Sequence, residues 1–140
     1  MTGLGISFPS VLDDVINYLN TSGIVRAVGA APGDRAEYCL IWLGGGQQST
    51  KITADVLLNF EMWVPKVDAL AQVTAERLAE EVRAAISMRA FEREDGITKY
   101  SVAWPGFPAN LAPDEETDQA NWARVVFMGQ VTVRGEKFAV

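Results

Sequence analysis

Apolar positions recur along the chain with two different periods. Leu12, Val15, Ile16 and Leu19 return at helical spacing and predict a helix from about Pro9 to Ser22. Ser7 or Ser10 is placed to cap it, Asp13 and Asp14 suit the positive end of its dipole, and Gly23 is a natural stop. A second, longer stripe runs through Val67, Leu70, Thr74, Leu78, Val82, Ala85 and Ile86 and predicts a helix from Pro65 to Arg89. Glu76, Arg77, Glu80, Glu81 and Arg83 fall on its opposite face, where Arg77–Glu81 and Glu80–Arg83 have the spacing of weak helical ion pairs. That charged face reads as solvated, with contact to a neighbouring subunit as the alternative.

Between the helices the period shortens to two. Val56, Leu58, Phe60, Met62 and Val64 share one face of a strand from Ala54 to Val64, and Leu57, Asn59, Glu61 and Trp63 share the other. One apolar and one partly polar face point to an antiparallel sheet. Shorter strand-like segments cover Ile24 to Val28 and Glu37 to Leu43, joined through a turn at Ala31-Pro32-Gly33-Asp34. Gly44-Gly45-Gly46 reads as a break in the chain. Beyond the long helix, Glu92 to Gly96 reads as a polar turn, and strands are expected from Ile97 to Trp104 and Ala123 to Arg134. Gly129 in the middle of the last strand suggests a bulge or a close approach by another backbone. The expected fold is a single α+β domain over 1–140, in the order α-β-β-β-α-β-β, with two helices and an antiparallel sheet. Pro105 to Trp122 interrupts it. This stretch has no periodicity, holds three prolines and an acidic cluster at Asp114-Glu115-Glu116-Thr117-Asp118, and is long enough to suggest an interface loop over 105–122.

Composition narrows the chemistry. The 140 residues are 49% hydrophobic and 21% charged, a globular balance. A net charge of −6, with twelve scattered Lys and Arg, disfavours specific binding to nucleic acid or to an anionic membrane. Histidine is absent, which excludes Ser-His-Asp and Cys-His catalysis and the usual zinc sites. The single cysteine, Cys39, lies in an apolar run and reads as a small buried hydrophobe. No basic segment followed by an apolar one opens the chain, and no apolar stretch reaches the length of a membrane span, so the cytoplasm is the expected place of synthesis.

Candidate sites are few. Gly44-Gly45-Gly46-Gln47-Gln48-Ser49-Thr50-Lys51 lacks the Gly-Lys-Ser/Thr order of a phosphate loop and reads as a flexible turn. The acidic cluster lacks the alternating oxygen ligands and central glycine of a calcium loop, and reads as solvated with at most an adventitious cation. Asp55, Glu61, Glu92, Glu94 and Asp95 are available for acid–base work but lie in no recognisable motif. No catalytic residue, metal site or cofactor is expected. Trp42 and Trp63 sit on strands and are expected in the core, whereas Trp104 and Trp122 bracket the long loop, either clamping it to the sheet or anchoring a protein interface.

The joint order of several short stretches resembles the tail terminator proteins of long-tailed bacteriophages, most closely those of actinobacterial phages. These stretches are Asp13-Asp14-Val15-Ile16-Asn17-Tyr18-Leu19, Pro32-Gly33-Asp34-Arg35, Gly44-Gly45-Gly46, Trp63-Val64-Pro65, Gly106-Phe107-Pro108, Pro113-Asp114 and Val133-Arg134-Gly135. They cover nearly the whole chain. The resemblance implies an antiparallel sheet with helices on one face. It also implies a structural virion protein that assembles as a homo-oligomeric ring, usually hexameric, at the tail–neck junction. Such a ring caps the tail tube, ends tail polymerisation, offers its other face to the head-neck connector and lets DNA pass through its lumen. Expected contact residues are Arg35, Gly44, Gly45, Gly46, Trp104, Phe107, Asn110, Leu111, Asp114 and Trp122. The alternatives are another head-tail joining protein, such as a neck or tail completion subunit, and a small carboxylate-dependent enzyme or ligand-binding domain.

Overall fold

A computed structural model describes residues 4–8, 10–92, 100–104, 109–110 and 121–139. Its elements run β1 (Leu4–Ser7), α1 (Val11–Ser22), β2 (Ala27–Val28), β3 (Tyr38–Gln48), β4 (Thr53–Pro65), α2 (Ala71–Glu92), β5 (Tyr100–Ala103), β6 (Ala109–Asn110), β7 (Trp122–Arg134) and β8 (Glu136–Ala139). The α+β class and the two helices are as expected. The sheet is mixed rather than antiparallel. Five of its strands follow the order β2-β3-β4-β7-β5, and β6 pairs with β7 beside β5. β1 and β8, neither of them visible in the pattern, form a separate two-stranded antiparallel ribbon.

Helix α1 closes both ends with its own residues. The Ser10 side chain accepts the Asp13 N–H at 3.1 Å, and Gly23, at φ 73°, donates its N–H to the Leu19 carbonyl. Val11, Val15 and Leu19 are buried. The side chain of Asn20 then acts as a strand partner for β2. It donates to the Ala27 carbonyl and accepts the Ala27 N–H, both at 2.9 Å.

β2 is parallel to β3, pairing Ala27 with Cys39 and Val28 with Leu40. Because the pair is parallel, the connection from Gly29 to Glu37 brings the chain back to the same end of the sheet before β3 starts. Arg26 shapes that return. It holds Asp34 with two hydrogen bonds, 2.9 and 2.7 Å, and Asp34 in turn accepts the Ala36 N–H. The bidentate Arg26 contact pulls the exposed Asp34 carboxyl down to about 2.

The three glycines do not end β3. The strand passes through them with a bulge between Leu43 and Gly45. Gly45 (φ 107°) and Gly46 (φ 153°) take up the bend, and a side chain at Gly46 would collide with the Asp55 backbone. The turn lies farther on, where the Thr53 carbonyl accepts the N–H groups of Ser49 and Thr50.

β4 alternates as its sequence predicts. Ala54, Leu58, Phe60, Met62 and Val64 are buried, and the strand pairs with β7 over its whole length from Thr53↔Arg134 to Pro65↔Trp122. That pairing explains why α2 begins at Ala71 and not at Pro65. Pro65 is the last strand residue, and Lys66 to Leu70 form a turn in which Lys66 donates to Asn121 and Leu70 to the Asp68 carboxylate. Val67 and Leu70, expected on the buried stripe, are therefore exposed. Ala71, Ala75, Leu78, Ala79, Val82 and Ile86 form the stripe instead. On the outer face Arg77–Glu81 and Glu80–Arg83 pair as expected, at 3.1 and 2.6 Å.

Both helices contribute to one core together with Cys39, Ile41, Phe60, Met62, Val125, Phe127, Val131 and Val133. The helices thus share one side of the sheet. Gly129 is neither bulged nor crossed by another backbone. It stays in register opposite Leu58, and the Trp104 ring fills the space above it. The segment read as a loop over 105–122 contains β6, whose Ala109 and Asn110 face Val126 and Val125.

Candidate functional site

The alternation that buries one side of the sheet turns a second set of side chains to the side opposite the two helices. β3 presents Tyr38, Leu40 and Trp42 there, β4 presents Asp55, Leu57, Asn59, Glu61 and Trp63, and β7 presents Arg124, Val126, Met128 and Gln130. This open face divides into a locked end and a shallow apolar middle.

At the locked end the rings of Tyr38 and Trp63 stack at 6.1 Å, and Trp122 meets both edge-on at 5.7 and 6.1 Å. Three guanidinium groups lie against these rings: Arg124 at 4.9 Å from Trp63, Arg35 at 5.3 Å from Trp122 and Arg26 at 6.0 Å from Tyr38. Glu61 is buried in the middle of the group. Its carboxylate accepts from the Arg124 guanidinium at 2.6 Å and from the Trp63 indole N–H at 3.0 Å. Burial, reinforced by the charge of Glu61, pushes the Tyr38 phenol up. On the core side of the same strand, burial pushes the Cys39 thiol up to about 12 and leaves it inert.

The middle is a depression of about 350 Å³ lined by Trp42, Asn59, Glu61, Arg124, Val126 and Met128. Trp42 and Met128 flank Asn59 on neighbouring strands, and each keeps more than a third of its surface in contact with solvent, 37% and 38%. Trp42 was expected in the core. Ile41 takes the inward position of that strand and leaves Trp42 facing out. At the far end Asp55 accepts the Thr132 hydroxyl at 2.7 Å.

The expected contact residues are distributed over the molecule. Arg35 and Trp122 come together, ring against guanidinium. Gly44, Gly45 and Gly46 lie toward the opposite end of β4, opposite Leu57 and Val56. Trp104 sits on the helix side, half-buried, packed on Phe60 and Phe127 and donating its indole N–H to Ser87 at 2.6 Å. Asn110 belongs to β6, opposite Val125. Phe107, Leu111 and Asp114 lie outside the described residues, as do Glu94, Asp95 and the acidic cluster.

Tyr38, Asn59, Arg124 and Met128 were not expected at a site, and Glu61 was considered only for acid–base work. The one signal available for them was the polar half of the β4 alternation.

Of the candidate carboxylates, Glu61 has internal partners in Arg124 and Trp63, Asp55 has one in Thr132, and Glu92 is the last residue of α2. Among the described residues no group of three or more Cys, Asp or Glu is arranged to hold a metal, and no helix is long and apolar enough to cross a membrane. The chain matches no protein-family model and no curated protein.

Proposed function

We propose that this chain is a structural subunit of a homo-oligomeric ring that caps a phage tail tube and joins it to the neck. The supporting observation is the sheet face opposite the two helices. Its ionic groups are tied up internally, while Trp42 and Met128 remain exposed around a shallow depression. A surface of that kind suits contact with protein better than chemistry on a small substrate. The partners in this reading are further copies of the chain, the tail tube protein on one side and the head-neck connector on the other. The protein is assembled in the host cytoplasm and resides in the virion. DNA passes through the lumen without specific binding, and a net charge of −6 per copy favours sliding over sticking.

The test is the solution mass of the purified protein across concentrations, followed by negative-stain imaging. The expected outcome is a discrete ring of about six subunits, formed alone or on the ends of purified tail tubes. A protein that stays monomeric in both settings, or a ring whose lumen is basic, counts against the reading. Binding of a metabolite that depends on Glu61 or Asp55 would replace it with the ligand-binding alternative.

A further inference from the structure

Among the described residues, neither edge of the main sheet is paired along its full length. β3 has eleven residues, and β2 covers only two of them, Cys39 and Leu40. Beyond β2 the chain leaves the sheet, and Gly29 lies against Ile16 of α1. Where β2 is present its own outer side is closed by the Asn20 amide. Past Ile41 the outer side of β3 has no strand partner among the described residues, and every residue from Trp42 to Gln48 is exposed.

The backbone direction there follows from one bond. Cys39 donates its N–H outward, to the Arg26 carbonyl in the β2 segment. Alternation therefore turns the N–H and C=O of Ile41 and Leu43 outward as well, toward the vacant side. Folded proteins usually blunt such an edge with a lysine, a proline, an inward charge or a very short strand. From Tyr38 to Gln48 this strand carries neither a charge nor a proline, and among the described residues the bulge at Leu43 and Gly45 is its sole protection.

The opposite edge is of the same kind. It ends in β5, Tyr100–Ala103, also uncharged, with no strand on its outer side among the described residues. The strand directions match. β4 opposes β3, β7 opposes β4 and β5 opposes β7, so β5 runs antiparallel to β3. A second copy placed to continue the sheet keeps those directions. Its β5 then meets β3 of the first copy as an antiparallel pair, and the helix layers stay on the same side.

We propose that copies of this chain associate head to tail by pairing the free edge of β3 with β5 of the next copy. This rests on the ring reading and names the contact that builds the ring. A head-to-tail contact is heterologous, so each copy uses two different edges, and repetition closes a ring when the rotation allows.

The test blocks one edge at a time. L43K places a charge on the β3 edge and S101K places one on the β5 edge, and both positions are exposed. Each variant alone is expected to need about tenfold more protein or greater to assemble, with an unchanged melting curve. Mixed together, they are expected to form a one-to-one dimer and nothing larger, because only one intact edge of each kind remains. In wild-type assemblies the Ile41 and Leu43 amides are expected to exchange at least about tenfold more slowly than in monomer. Wild-type rings alongside normal assembly of L43K would overturn edge pairing and leave the ring intact. A mixture that forms no dimer would overturn it too. A wild type that stays monomeric even on tail tubes would remove the ring reading itself.

Discussion

Replacing Glu61 by alanine tests the locked end of the open face. The carboxylate is held by Arg124 at 2.6 Å and by the Trp63 indole at 3.0 Å. The side chains of Glu61 and Arg124 are 12% and 21% exposed. Breaking a fully buried pair by removing one partner costs about 3–5 kcal/mol, because the remaining charge stays desolvated. The residual access of water to Arg124 places this case at the low end, about 3 kcal/mol. For a chain of this size that corresponds to a loss of about 10 °C in Tm. E61Q keeps an acceptor for only one of the two donors, sets its amide N–H against the other and gives up the charge, so it should cost about 2 kcal/mol, still less than E61A.

The assay is urea unfolding of E61A, R124A and the double variant. The double variant is expected to be less destabilised than the sum of the single variants by at least about 1.5 kcal/mol. The loss should persist at ~1 M salt, since a buried pair is little screened. An E61A protein within about 0.5 kcal/mol of wild type, or strictly additive costs, would refute the account, since surface substitutions fall in that range.

Two further outcomes follow from packing. A Cβ at Gly129 would sit 2.7 Å from the Trp104 ring, so G129A should cost about 1–3 kcal/mol and red-shift tryptophan emission. The same change should cost less once Trp104 is shortened to leucine, and a G129A protein as stable as wild type would show that the ring simply moves aside. With its thiol buried and raised to about 12, Cys39 should react with a thiol reagent at about pH 8 only as fast as the protein unfolds, and completely in urea. Stoichiometric labelling of native protein within minutes would contradict its burial.

Elements held by local interactions were legible in the sequence, and those set by distant partners were not. Helix α1 announces itself through Ser10, the Val15 and Leu19 spacing and Gly23, all within one segment. β4 shows its two faces because Asn59 and Glu61 interrupt its apolar residues. In Tyr38-Cys39-Leu40-Ile41-Trp42-Leu43 nothing interrupts them, so the outward facing of Trp42 could not be read. Glycine serves turns and bulges alike, so Gly44 to Gly46 looked like the end of a strand that in fact continues. Pro65 suits a helix start and the last position of a strand equally well, and its pairing with Trp122 decides between them. The direction of β2 depends on how the chain returns past Arg26 and Asp34. At the site, Arg35 and Trp122 were named from a turn and from loop length and aromatic content, whereas the Glu61–Arg124 pair joins residues 63 positions apart and leaves no local trace.

The place of β7 in the sheet has a consequence for how the protein is made. β7 is the hub to which β4, β5 and β6 are all bonded, yet it leaves the ribosome after all three of them and after α2. Until it arrives, the thirteen residues of β4 have a bare flank and Phe60 lacks the Phe127 ring it stacks on. α2 is synthesised in the interval, with half of its docking surface still to come. Folding on the ribosome therefore has no stable halfway point, and a stalled or prematurely ended chain exposes a long, mostly apolar strand to whatever is nearby. Nascent chains arrested before Trp122 should engage chaperones and resist isolation, whereas chains extended past Arg134 should complete the sheet in one cooperative step.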